Sequence, residues 1–108
     1  MKYSDEQRIE KILNYAVKLQ DFVSDNKITK ELLLANEILK WQVTTPLRNI
    51  CEHLHNLTKE YKDGHSEIEW NLIADLRFKL MHDYEELNWE KVSEIIFEHL
   101  PILVRLLK

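Results

Sequence analysis

An arginine, a histidine and a tyrosine stand close together in the segment from Ala74 to Tyr84, with the spacing Arg-x4-His-x-Tyr. The guanidinium of Arg77 carries a fixed positive charge that can neutralise a phosphoryl transition state. The imidazole of His82 can exchange a proton with a ribose hydroxyl near neutral pH. Tyr84 adds a phenolic hydroxyl. These residue types are suited to chemistry on a phosphodiester.

Helical geometry limits how these three side chains can meet. At about 100° per residue, Arg77 and Tyr84 share nearly one stripe, two turns apart, whereas His82 points roughly 140° away from Arg77. One straight helix therefore does not gather the three groups. A distorted helix end, the long reach of arginine or a second subunit is needed, and a composite site across a two-fold axis satisfies this requirement.

The elements before this segment follow from apolar periodicity and capping residues. Ser4 and Gln7 form a capping-box pattern that predicts the start of a first helix. Thr29 is expected to cap a second helix. Pro46 costs roughly 3 kcal/mol in a helix interior. The sequence therefore predicts a kink, or a short break with Thr45 as cap, within Val43–Pro46.

The motif helix has its own predicted boundaries. Apolar spacing from Leu47 to Tyr61 predicts one helix, which Gly64 is expected to end in a left-handed conformation. Ser66 and Glu69 match a second capping box, so the motif helix is predicted to start there.

The chain end completes an all-helical pattern. Asn88 is expected to cap the last helix, and Pro101 to bend or restart it. No repeat, low-complexity run or linker divides the chain. The sequence predicts one all-α domain over residues 1–108, an up-and-down bundle of four to five helices.

Composition narrows the functional classes. The net charge of −4 provides no global basic field, which leaves only a local groove to bind nucleic acid. Cys51 is the only cysteine, which excludes an intramolecular disulfide and fits a reducing cytoplasm.

No signal-peptide core or membrane-spanning run is expected. His53 and His55 are two positions apart and point to opposite sides of a helix, so we predict no metal site and no cofactor.

Further segments carry a resemblance to a known family. His65-Ser66-Glu67-Ile68-Glu69-Trp70 resembles the entry His-Pro-Glu-Ile-Pro-Trp of the HepT family, and residues 71–77 are similar to the stretch that follows it. The tail from Val92 to Leu103 also matches, including the pair Leu100-Pro101. Similarity covers about residues 50–105. The chain thus resembles the HEPN ribonucleases, specifically the HepT toxin branch.

This resemblance implies a metal-independent endoribonuclease that cuts RNA, expected to be tRNA, as a homodimer. Arg77 would stabilise the phosphorane charge, and His82 would act as general acid or base when the ribose 2′-hydroxyl attacks. The implied partner is an MNT-type nucleotidyltransferase antitoxin that transfers AMP to Tyr84. Added phosphate charge and nucleotide bulk beside Arg77 would block an RNA phosphate.

Three positions depart from the family pattern. Phe78 stands where a polar residue, often Asn, commonly follows the arginine. The usual Gly-Glu is Cys51-Glu52, and an upstream basic position falls on Thr45. Glu52 is retained and could orient Arg77 or His82. The alternatives are a catalytically inactive HEPN-type subunit that partners a nucleotidyltransferase and binds its substrate, or a structural helical bundle.

Overall fold

A computed structural model describes residues 2–108 and contains helices, and no strand, in that range. The helices are α1 (Asp5–Asp25), α2 (Lys30–Ala35), α3 (Glu37–His55), α4 (Lys59–Asp63), α5 (Trp70–His82), α6 (Trp89–Glu94) and α7 (Leu100–Leu107). A 3₁₀ turn, Tyr84–Glu86, follows α5, and a π-helical turn, Ile95–His99, joins α6 to α7. The all-α prediction is confirmed, although the described helical segments are shorter and more numerous than expected. None of them combines the length and hydrophobicity needed to cross a membrane.

Helix α3 lies at the centre of the packing. It contacts α1 on one side and α5 on another, while α2 packs on α3 and α6. The side chains that are almost completely buried follow helical spacing: Ile12, Ala16 and Leu19 on α1, and Val43, Leu47, Ile50 and Leu54 on α3. The valine, leucine and isoleucine side chains in this set each contribute about 1.5–3 kcal/mol by leaving water. The central position of α3 brings its outer flank beside α5.

Three predicted helix starts are confirmed. The Ser4 Oγ accepts from the Gln7 backbone N–H at 3.1 Å, and the Ser4 N–H donates to Gln7 Oε1 at 2.9 Å. The Thr29 hydroxyl accepts from the backbone N–H three residues later at 3.1 Å. Asn88 Oδ1 accepts from the Lys91 N–H at 3.2 Å. These caps depend only on residues three positions apart.

Of the two alternatives predicted for Val43–Pro46, the short break is wrong, and a continuous helix through the proline is confirmed. The break lies instead at Asn36, whose side chain accepts from the Leu39 N–H at 3.1 Å and starts α3. Helix α3 runs on through Pro46, and Thr45 is not a cap. The buried side chains of Val43 and Leu47 flank the proline in sequence, so core packing on both sides offsets its local cost.

The predicted helix from Leu47 to Tyr61 is also interrupted. Helix α3 ends at His55, and Thr58 caps the separate helix α4. The Thr58 N–H and hydroxyl both donate to the Asp5 carboxylate, at 3.0 Å and 2.6 Å. This contact, across 53 positions, stabilises a turn that local sequence does not indicate.

Two further local predictions fail around the start of α5. Gly64 ends α4 with φ −79°, in the right-handed region, and within residues 2–108 the positive φ belongs to Lys27 at 51°. No Ser66–Glu69 capping box forms, because α5 begins at Trp70 without a side-chain cap. The Trp70 indole N–H instead donates to the His65 carbonyl at 3.1 Å, which ties the entry segment to the helix.

The predicted restart at Pro101 is confirmed. In the π-helical turn before it, the Leu100 N–H donates to the carbonyl of Ile95, five residues back. Pro101 then lies in the first turn of α7. A proline at this place is tolerated, because first-turn N–H groups have no partner within their helix.

Candidate active site

Arg77 lies on the flank of α5 that faces α3. Leu76 and Leu80 are buried in the core and set the rotation of the helix. The neighbouring residue Arg77 then points sideways, and its Nε donates to Glu52 Oε2 at 2.6 Å. The Arg77 side chain is 28% exposed and that of Glu52 is 39% exposed. This direct contact supports the prediction that Glu52 orients Arg77.

The Glu52 carboxylate is engaged at both oxygens. Asn56 Nδ2 donates to Oε1 at 3.0 Å, while Oε2 accepts from Arg77. The hydrogen bond from Arg77, followed by its charge and the Asn56 contact, lowers the pKa of Glu52 despite some burial. A partly exposed ion pair contributes only about 0–1 kcal/mol to stability. The main effect of the pair is therefore to hold the guanidinium by Nε, while neither Nη group forms a hydrogen bond within residues 2–108.

His82 is the last residue of α5 and is exposed. Its ring contacts Phe78, one turn earlier, with centroids 5.2 Å apart and planes at 48°. Within residues 2–108 no hydrogen bond joins His82 to Arg77. Five residues of α-helix separate the two by about 7.5 Å along the axis. One subunit therefore presents Arg77 and His82 on different sides of α5, and their convergence in a dimer stays a prediction.

Tyr84 follows α5 in the 3₁₀ turn and is directed inward. Its ring meets Trp89 edge-on, with centroids 6.0 Å apart. The phenolic oxygen is buried and has no hydrogen-bond partner within residues 2–108. The Tyr84 hydroxyl therefore makes no hydrogen bond to Arg77, and in this arrangement it is not accessible from outside.

A second histidine, which sequence reasoning did not assign to the site, lies close to Arg77. His55 is on α3, three positions after Glu52. Burial first, and then the charges of Arg77 and Lys62, lower the pKa of His55. Lys62 Nζ donates to the His55 carbonyl at 2.6 Å, so a second cation lies at this end of α3. The turn between α3 and α4 creates this grouping, and helical periodicity alone could not indicate it.

The two other groups weighed from the sequence have structural roles. His53 points away from His55, as predicted, and its Nδ1 lies 3.1 Å from Arg8 Nη1 on α1. Cys51 is buried, and burial raises the pKa of its thiol to about 12. A thiol of that pKa is not a nucleophile near neutral pH. Among residues 2–108, no set of three or more His, Cys, Asp or Glu is grouped as metal ligands would be.

A cavity of about 300 Å³ opens between α3, α5 and α7. Its lining is mainly apolar, with Glu67, Glu69 and His99 among the polar contributors. Neither Arg77 nor His82 lines it. The cavity is therefore separate from the candidate site on the outer flank of α5.

Comparisons with known proteins agree with the motif. The model of the family described as "Ribonuclease HepT-like" matches residues 9–108. The chain is similar to "Putative RNase TTE0752" of Caldanaerobacter subterraneus subsp. tengcongensis, with 32% identity over 92 residues, 85% of this chain and 72% of the relative. It is also similar to "Putative RNase MJ0127" of Methanocaldococcus jannaschii, with 28% identity over 90 residues, 83% of this chain and 73% of the relative. No solved structure gives a significant match.

Proposed function

Because the chain belongs to the HepT-like ribonuclease family, we propose that it is a metal-independent endoribonuclease, with tRNA as the expected substrate. The observation that carries this proposal is the Arg77 guanidinium, which is held at Nε by Glu52 and whose Nη groups form no hydrogen bond within residues 2–108. The two Nη groups of a guanidinium can donate parallel hydrogen bonds to two phosphate oxygens. His82 lies on the same helix and supplies a group that transfers protons near neutral pH.

The proposed reaction is an internal transfer at phosphorus. His82 removes the proton of the ribose 2′-hydroxyl, and the 2′-oxygen attacks the adjacent phosphorus. The bond from phosphorus to the 5′-oxygen breaks, and that oxygen takes up a proton. The products are a 2′,3′-cyclic phosphate and a free 5′-hydroxyl. Arg77 stabilises the negative charge that grows on the phosphorane oxygens.

We further propose that the working site is composite and forms in a homodimer. Within one helix, Arg77 and His82 point in different directions, so a second copy is the simplest way to bring them together. Exposed apolar side chains on this face support self-association. Trp41 is 54% exposed and lies on the same stripe of α3 as Glu52, and Met81 on α5 is 45% exposed. Trp41 is thus a candidate interface anchor rather than a core residue.

The proposed regulator is an MNT-type nucleotidyltransferase that transfers AMP to Tyr84. Tyr84 lies two positions after His82, so an attached nucleotide would add bulk and negative charge close to His82. Since the hydroxyl is buried, the transfer requires the turn Tyr84–Glu86 to open. We expect a mass increase of one AMP on incubation with the nucleotidyltransferase and ATP. The same treatment of Tyr84→Phe should leave the mass unchanged.

The deciding experiment is cleavage of total tRNA by purified protein in EDTA. Wild type should release fragments with 2′,3′-cyclic phosphate ends. The His82→Ala variant should cleave about 10²–10⁴-fold more slowly. His99→Ala is the matched control, because His99 is also an exposed histidine at the end of a helical turn but lies outside the candidate site. Inertness of wild type and His82→Ala alike would refute the nuclease, and equal activity of the two would refute the role of His82.

The second candidate is a catalytically inactive subunit that partners a nucleotidyltransferase and binds its substrate. Phe78 is the observation that favours it, because a phenyl ring cannot make the hydrogen bonds of the polar residue expected after the arginine. An inert wild type that still forms a stable complex with the nucleotidyltransferase would select this function.

A further inference from the structure

We infer that Phe78 is a stacking platform for an unpaired nucleobase, so that the substrate is single-stranded at the point of cleavage. This inference rests on the proposed function for the presence of RNA at the site. That a nucleobase is the group bound there is argued from the chemistry and position of the Phe78 ring. In this structure Phe78 is an exposed residue of α5 and lies between Arg77 and His82 along that helix.

The exposure of Phe78 is high for its type. The side chain is 56% exposed, more than any other large hydrophobic residue that is exposed within residues 2–108. It lies in the middle of α5, where Leu76 and Leu80 already supply the core contacts. Core packing therefore does not account for a phenyl group at this position.

The surroundings of Phe78 join it to the candidate site. Arg77 precedes it directly, and the His82 ring lies 5.2 Å away, centroid to centroid. A nucleotide carries its base beside its phosphate. A base on the Phe78 ring would therefore place the attached phosphodiester near His82 of the same subunit, and the second copy in the proposed dimer would supply the guanidinium.

The chemistry of the ring selects the form of the nucleic acid. A phenyl group has no hydrogen-bonding atoms, so it can bind a base only by its face and cannot read the base edge. In a duplex, neighbouring base pairs cover both faces of each base. An aromatic platform therefore takes bases from loops, bulges or single strands, with little preference among the four bases.

The test measures binding without cleavage. The probe is a fluorescent 2′-O-methyl oligouridylate, which lacks the attacking hydroxyl, compared with the same strand carrying a run of abasic residues. Stacking on aromatic side chains predicts that wild type binds the intact strand about 5- to 150-fold more tightly. Phe78→Leu should remove this preference while keeping apolar bulk, and Phe78→Trp should retain it. Val17→Ala is the control, because Val17 is an exposed apolar residue on α1, which packs on α3 and α7.

Two results would overturn the inference. One is an unchanged preference for the intact strand in Phe78→Leu, or no preference in wild type. The other is conversion of a dimer to a monomer by Phe78→Ala but not by Phe78→Leu in sedimentation experiments, which would make Phe78 a subunit contact. Base preference without any tRNA cleavage would refute the nuclease alone, and tRNA cleavage without base preference would refute stacking alone.

Discussion

Among single residues, Glu52 determines how Arg77 is presented. A free arginine side chain samples many rotamers, and the 2.6 Å contact from Nε to the carboxylate restricts them. The lowered pKa of Glu52 keeps the carboxylate ionised well below neutral pH. We therefore propose that Glu52 positions Arg77, and we expect its effect on stability to be small.

Removing this partner should affect activity more than folding. We expect Glu52→Ala to lower kcat/KM for RNA cleavage about tenfold, in line with the loss of one charge-assisted contact. Glu52→Gln still accepts a hydrogen bond and should lie between Glu52→Ala and wild type. Activity assays paired with urea unfolding provide the measurement, with Glu90→Gln on α6 as the control. A loss of stability parallel to the loss of activity would assign Glu52 a structural role instead.

The histidines of α3 predict a pH dependence of stability. Burial and nearby cations lower the pKa values of His53 and His55 below the ordinary 6.5. The stability from their neutral forms is present above pH 6.5 and is lost as pH falls through the lowered pKa values. Because the pKa of Glu52 is lowered from its ordinary value of 4.5, a separate loss of stability is expected as pH falls below 4.5. Urea unfolding should give a smaller free energy at pH 5.5 than at pH 7.5, with a flatter profile in His53→Gln. Equal values at both pH values in wild type would contradict this expectation.

At the scale of the helices, Asn36 is a boundary that decides where α3 begins. It ends α2 and caps α3, so the long central helix takes its register from one side chain. The register matters for the site, because Glu52 lies on the same helix and must face Arg77.

Replacing Asn36 should test this boundary. Asn36→Ala should lower the free energy of unfolding by about 1 kcal/mol, because the Leu39 N–H loses its side-chain partner. Asn36→Asp should stay near wild type, since aspartate caps equally well. Asn14→Ala, an exposed change inside α1, should cause no loss and is the control. Thermal or urea unfolding measures the stability of the three variants. Equal effects of Asn36→Ala and Asn14→Ala would contradict the capping role of Asn36.

For the whole molecule, the proposed composite site predicts how two defective subunits behave together. In a mixed dimer of Arg77→Ala and His82→Ala, one composite site has both defects and the other is intact. Mixed dimers isolated by two affinity tags should therefore show about half of the wild-type activity per dimer. If each subunit carries its own complete site, the mixed dimer should be as inactive as either parent.

Part of this arrangement follows from the sequence alone. The helix starts at Ser4, Thr29 and Asn88 are determined by contacts between residues three positions apart. Both partners of each contact are therefore visible in the local sequence. The directions of Arg77 and His82 around α5 also follow from helical repeat, because both lie on one regular helix.

Only the tertiary structure decided the remaining features. Helix α3 continues through Pro46 because buried side chains on both sides outweigh a local cost, and α4 is separate because Thr58 bonds to Asp5, 53 positions away. The Glu52–Arg77 pair spans 25 positions, and the burial of the Tyr84 hydroxyl depends on how its turn packs on α6. Contacts between distant positions arise only when the helices pack, so neither spacing nor residue type could specify them.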